Sequence, residues 1–160
     1  MARVYVGIGS NIEPARHVCA ALDDLRAAFG ELDVSPVYQT EAVGFAGQDF
    51  LNLVVGFDTS ADPGAVNQTL RAIEDRNGRR RGPERYASRT LDLDLLLYDD
   101  LVADDPAMNL PRDEILRFAF VLKPLADIAG ERHHPSDGRT FNELWAEMAD
   151  DAPALTSVDL

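Results

Sequence analysis

Lysine is almost missing from this chain: Lys123 stands alone against fourteen arginines, and Pro124 follows it. A Walker A loop needs Gly-Lys-Ser/Thr, so P-loop phosphate binding is excluded. The single cysteine, Cys19, excludes an intramolecular disulfide and any Cys-rich zinc module. Set among Val18, Leu22 and Leu25, it reads as a core residue. No apolar run approaches the roughly 18 residues of a membrane span, and the opening MARVYVGIGSN has no basic stretch before its short apolar run, so a cytoplasmic chain is expected. Gly7-Ile8-Gly9 begins like a dinucleotide fingerprint, but Ile12 stands in the place of the third glycine and the Rossmann reading fails. His133 and His134 are adjacent and precede Pro135, which suits a solvated loop better than metal ligation.

What is present fits one domain over residues 1–160, long enough at 46% hydrophobic content to bury a core without staples. The formal net charge of -13 disfavours nucleic acid and anionic membrane as partners. Positive charge is nonetheless concentrated. Seven of the fourteen arginines lie between Arg71 and Arg89, where the only acids are Glu74, Asp75 and Glu84. That window carries +4 while the remainder carries -17. A positive island on an acidic chain suits a small polyanion; taken alone, it also reads as a solvated arginine-rich loop.

Local patterns define the element order. Arg3 to Ile8 is β-branched and aromatic and ends at Gly9, as a strand does. Val18, Ala21, Leu22, Leu25 and Phe29 recur at helical spacing between Pro14 and Gly30. Strand-like runs follow at Val34 to Thr40 and Phe50 to Thr59. Asp62-Pro63 then opens a helix with Val66, Leu70 and Ile73 on one face, stopping at Asn77-Gly78. LDLDLLLY, from Leu91 to Tyr98, is the sharpest alternating strand. Strand, helix, strand, strand, helix, strand predicts an α+β fold with a ferredoxin-like βαββαβ core, its antiparallel sheet covered by two helices on one face. Helical patterns at Pro111 to Arg117, Ala119 to Ala129 and Phe141 to Met148 add C-terminal helices.

In LDLDLLLY the period of two places Leu91, Leu93, Leu95 and Leu97 on one face and Asp92 and Asp94 on the other, with the two acids' Cβ atoms about 6 to 7 Å apart. Paired carboxylates on a rigid strand suit hard cations such as Mg²⁺; an amphipathic strand with a wet face is the alternative for the pair alone. Arg89 and the island before it favour the first. Metal-holding acids beside phosphate-holding arginines are the parts that phosphoryl transfer needs.

The segment RYASRTLDLDLL, Arg85 to Leu96, resembles the signature of the 6-hydroxymethyl-7,8-dihydropterin pyrophosphokinases of folate biosynthesis. Further similar segments fall in family order: Gly9 to Asn11, Tyr38 to Gly44, Phe50 to Asn52, the helix ending in Ile73-Glu74 before GRRR, and FVLKPL at Phe120 to Leu125. The resemblance implies transfer of diphosphate from ATP to the pterin hydroxymethyl group, with AMP released. It implies Asp92 and Asp94 as holders of two Mg²⁺ ions, catalysis by Arg81, Arg89, Asp92 and Asp94, and ATP contacts from Glu74, Arg79, Arg81 and Arg89. Thr40 and Asn52 would read the pterin edge while Phe50 and Phe120 sandwich its ring, the arrangement a flat heterocycle favours. The family's fold is ferredoxin-like as well.

The chain departs from the family pattern on the ATP side. Pro111-Arg112 stands where Pro-His is common, Phe118 separates Arg117 from Ala119-Phe120, Tyr86 replaces a frequent Trp and Ala107 a frequent Arg. Arg112 and Arg117 are expected to supply the missing donors to ATP. A monomer acting on small molecules is expected, with no nucleic-acid or membrane partner. Two other classes remain on residues alone: a ferredoxin-like RNA-binding module, which the charge and the absence of an RNP-type aromatic motif oppose, and a sensor that binds without turnover, which has less need of Asp92 and Asp94.

Overall fold

The β-branched run at the N-terminus forms the central strand of the sheet. In a computed structural model, which describes residues 1–40, 49–78, 91–105 and 108–160, β1 (Ala2–Ser10) lies between β4 (Phe50–Thr59) and β5 (Asp92–Tyr98). The sheet order is β5-β1-β4-β3-β8, where β3 is Val37–Thr40 and β8 is Thr156–Val158, with the short β2 (Asp33–Val34) also on β4. Every pairing is antiparallel. The chain is thus α+β with the ferredoxin-like order that its sequence predicts. A two-stranded ribbon, β6 (Ala103–Asp105) with β7 (Met108–Leu110), stands apart from the sheet.

Two helices cover one face. α1 (Pro14–Phe29) has proline in its first turn and ends at Gly30, whose φ of 86° lies in the left-handed region that glycine tolerates. α2 (Pro63–Arg76) is capped by Asp62, whose carboxylate accepts the Ala65 N–H at 2.8 Å. Val18, Leu22 and Leu25 of α1 and Val66, Leu70 and Ile73 of α2 bury themselves against Val4, Val6, Ile8, Leu53, Val55, Phe57, Leu93 and Leu95. Cys19 corrects the sequence reading: it is exposed, just off the buried stripe of α1.

The opposite face is covered over part of its length. Tyr5, Val54, Leu96 and Leu97 meet Leu122, Leu125, Ala126 and Ala129 of α4 (Ala119–Ala129), with α5 (Phe141–Met148) behind. α3 (Glu114–Arg117) adds Ile115 to this second core. Leu97 was expected with the other odd-numbered leucines, yet it sits here. The register of β5 against β1 shifts between Tyr5 and Val6: Leu95 pairs with Val6 and Leu97 with Tyr5, leaving Leu96 as the extra residue of a bulge that turns Leu97 to the α4 side.

Two further differences come from the hydrogen bonds of buried polar side chains. The expected strand from Val34 to Thr40 is broken at Ser35-Pro36, where the buried Ser35 hydroxyl accepts the Val54 N–H and the Ser35 N–H donates to the Val54 carbonyl, both at 2.9 Å. His134 is buried rather than solvated: its Nδ1 accepts the N–H groups of Ser136 and Asp137 at 3.1 and 3.0 Å, and burial holds its pKa below the usual histidine value. The ring of Phe57, fully buried, stacks on Phe29 with centroids 4.2 Å apart. Replacing it with alanine is expected to cost about 3–5 kcal/mol in urea unfolding, with the cooperative transition retained.

Candidate functional site

Strand register brings the polar residues together. Across the sheet, Asp92 pairs with Gly9, Gly9 with Asn52, and Asn52 with Tyr38; two residues along β1 in one direction Asp94 pairs with Gly7, and in the opposite direction Thr40 pairs with Phe50. Residues two apart on a strand share a face, so Asp92, Asp94, Gly7, Gly9, Asn52, Thr40 and Phe50 all lie on the face opposite α1 and α2. The two glycines keep this face low. A Cβ on Gly9 would sit 3.1 Å from Oδ1 of Asn52, so the missing side chain lets the buried amide lie against β1. Nδ2 of Asn52 donates to Oγ1 of Thr40 at 3.0 Å, which joins these two predicted residues in one polar pair.

Phe120 comes from the first turn of α4 and is half-buried. The ring of Phe118 stacks on it at 5.1 Å and 19°, and the Arg117 guanidinium lies 5.2 Å from the centre of the Phe118 ring. Phe118, which in sequence is only an interruption, therefore packs against Phe120, and the Arg117 cation sits near the Phe118 ring. α4 is tied to β3 by Tyr38, whose hydroxyl donates to Asp127, and Lys123 pairs with the same carboxylate at 2.8 Å. In sequence Tyr38 only opens a similar run and Phe118 only interrupts one; the contacts of Tyr38 with Asp127 and of Phe118 with Phe120 show in the fold.

Glu74 is fully buried. Its Oε2 accepts the N–H of Leu93, between the two aspartates, at 2.8 Å, and its Oε1 takes a hydrogen bond from Arg71, also 2.8 Å long. The side chain expected to touch nucleotide thus fastens α2 to β5. Arg112 approaches the acids from beyond β7: its N–H donates to the Leu96 carbonyl at 3.0 Å, Nη2 lies 3.3 Å from Oδ1 of Asp94, and Nε is bonded to Glu114. Arg79, Arg81 and Arg89, with Tyr86 and Ala107, lie outside the described residues. Two surface depressions, of about 490 and 540 Å³, lie along α4 and α5, and neither is lined by Asp92, Asp94, Thr40 or Asn52.

The carboxyl of Asp94 is pushed up from its usual 3.8 to about 7, first by burial and then by the charge of Asp92, with Arg112 pulling the other way. Such a pair has negative charge to spare. Among the described residues no set of three His, Cys, Asp or Glu side chains gathers into a metal cage. Two carboxylates with no third protein ligand match the habit of Mg²⁺, which is held by one or two acids and completes its shell with water and phosphate oxygens. The donor set therefore fits that ion.

An antiparallel α+β sheet with two helices on one face, and paired acids and an amide–hydroxyl pair on the other, defines a domain of the ferredoxin-like type. Residues 5–130 match the family of 7,8-dihydro-6-hydroxymethylpterin-pyrophosphokinase (HPPK), and the chain belongs to that family. It is 42% identical over 152 residues to the 2-amino-4-hydroxy-6-hydroxymethyldihydropteridine pyrophosphokinase of Pseudomonas aeruginosa, covering 90% of each chain. To the Synechocystis protein of the same name it is 36% identical, covering 89% of this chain and 74% of that one. Among solved structures, the Plasmodium falciparum HPPK-DHPS chain superposes with a TM-score of 0.73 at 12% identity over 94% of this chain. The present chain spans 44% of that longer one, and the likeness there is one of fold.

The raised Asp94 carboxyl has a consequence for metal-free protein. Between about pH 4 and pH 7 folded Asp94 retains a proton that the unfolded chain has released, so its contribution to stability falls as pH rises through that range. Asp94→Asn is expected to stabilise the metal-free protein by about 1–2 kcal/mol at pH 8, with the gain shrinking toward pH 4. Thermal unfolding across pH in the presence of a chelator checks this; a gain independent of pH would contradict it.

Proposed function

We infer that this protein transfers the terminal diphosphate of ATP to 6-hydroxymethyl-7,8-dihydropterin and releases AMP, a step of folate biosynthesis. The observation that carries this reading is the division of one sheet face, in a chain that belongs to the pyrophosphokinase family. Asp92 and Asp94 stand at the β5 edge, and across Gly9 Asn52 and Phe50 stand two strands away and Thr40 three. Charge is handled at one end and a flat heterocycle at the other.

In this reading the Asn52–Thr40 pair reads the edge of the pterin, and Phe50 and Phe120 flank its ring, Phe120 stiffened from behind by Phe118. Asp92 and Asp94 hold two Mg²⁺ ions, which, when bound, offset phosphate charge and orient its oxygens. Arg79, Arg81, Arg89, Arg112 and Arg117 supply donors to the nucleotide, and Arg81 and Arg89 those that offset charge as AMP departs. Glu74 serves the nucleotide site from beneath, by fixing the strand that carries both acids. The hydroxymethyl oxygen attacks the β-phosphorus in line, its bond forming as the bond to the AMP oxygen breaks, and the hydroxyl proton passes to water. No strong base is needed: positioning and fixed charge account for the acceleration. No helix among the described residues is long and apolar enough to cross a membrane. The proposal includes a monomer working in the cytoplasm.

Incubation with ATP, Mg²⁺ and the hydroxymethyl dihydropterin should yield AMP and pterin diphosphate in one-to-one ratio. ADP would mean an ordinary kinase, and no turnover would mean a binding protein. Asp94→Asn is expected to lower kcat by about a thousandfold or more while the protein stays folded, because the electrostatic contribution to such a transfer is several kcal/mol. Phe120→Ala should instead raise KM for the pterin about tenfold, by loss of a stacking partner worth about 1 kcal/mol or more.

A further inference from the structure

The residue at position 112 is one of this chain's own departures from the family pattern, and its placement is specific. Its backbone is fastened to β5 through the Leu96 carbonyl, two residues beyond Asp94. Its guanidinium then lies between Asp94, 3.3 Å away, and Glu114, with the charge of Asp92 also acting on it. A guanidinium does not give up its proton in proteins. Arg112 is therefore a permanent cation on one of the two acids assigned to the metal.

Two cations compete for that carboxylate. A divalent ion bound at Asp94 would face a guanidinium within a few ångströms, in a half-buried place where like charges repel more strongly than in water. The conflict is relieved by added negative charge. A polyphosphate supplies it, and offers pairs of oxygens to which the planar guanidinium can donate two hydrogen bonds at once.

We propose that Arg112 is a positioning residue that occupies Asp94 until a polyphosphate draws it away, so that this chain takes up divalent cations together with nucleotide and not before it. The proposal rests on the assignment of Asp92 and Asp94 to the metal. Arg112 thereby changes from a substitute cation at the carboxylate into a phosphate donor, and one side chain serves both states of the site.

Binding of Mn²⁺ alone, followed by the loss of the free-ion electron paramagnetic resonance signal, tests this without turnover. The wild-type protein is expected to bind Mn²⁺ weakly without nucleotide and more tightly with α,β-methylene-ATP. Arg112→Met should bind free Mn²⁺ about 5- to 150-fold more tightly than wild type, the ordinary range for coupling between neighbouring ligands. That gain should vanish in the double variant Arg112→Met/Asp94→Asn. Arg112→Gln repeats the measurement should the methionine variant fail to fold. Equal free-Mn²⁺ affinity in wild type and the Arg112 variants, with binding still dependent on Asp94, would overturn the role of Arg112 and leave the metal assignment standing. Mn²⁺ binding with the nucleotide analogue that is indifferent to Asp94→Asn would overturn both.

Discussion

The hydrogen bond from the Leu93 N–H to Glu74 joins the helix layer, the sheet edge and the backbone between the two aspartates in one buried contact. β5 is the edge of the sheet, and an edge strand presents N–H groups that pairing with β1 does not satisfy. Burying a carboxylate is costly unless its oxygens are bonded, and Glu74 meets that condition through Leu93 on one oxygen and Arg71 on the other. The same contact closes the edge, docks the C-terminal end of α2 and fixes the backbone between Asp92 and Asp94. The acids therefore inherit their spacing from a core interaction on the far side of the strand.

The two faces of the sheet divide the labour. One is sealed by α1 and α2 over an aliphatic core; the other is sealed by α4 and α5 only as far as Val54, Tyr5 and Leu96. Beyond that line the face turns polar, and glycine replaces side chains on the central strand. Low relief there is a matter of composition: Gly7 and Gly9 carry no side chains of their own, which lets the Leu96 side chain lie close over the first and the Asn52 amide close against the second.

Much of this was legible beforehand because it is local. Helical spacing from Pro14 to Phe29, the Asp62-Pro63 cap and the alternation of LDLDLLLY each report their own element, and the order of elements reports the fold. What escaped is non-local. The break at Ser35-Pro36 depends on Val54, the bulge at Leu96 on the register with β1, and β8 on finding β3 more than a hundred residues earlier. Among site residues, Asp92, Asp94, Thr40, Phe50 and Asn52 share a face that alternation and register explain. Glu74 could be picked out in sequence, but its inward direction could not, because a carboxylate at the end of an amphipathic helix gives no sign of a backbone partner nineteen residues on.

The scarcity of lysine, joined to the place of the one that remains, has a chemical outcome. Lys123 is held at Asp127, which also receives the Tyr38 hydroxyl, so its amine belongs to the tie between α4 and β3. Nζ of Lys123 is the one side-chain amine in the sequence, and so the one lysine target for an amine-directed reagent. Acylation there removes the positive charge beside Asp127 and leaves it the tyrosine. A single small adduct would thus loosen the helix that carries Phe120.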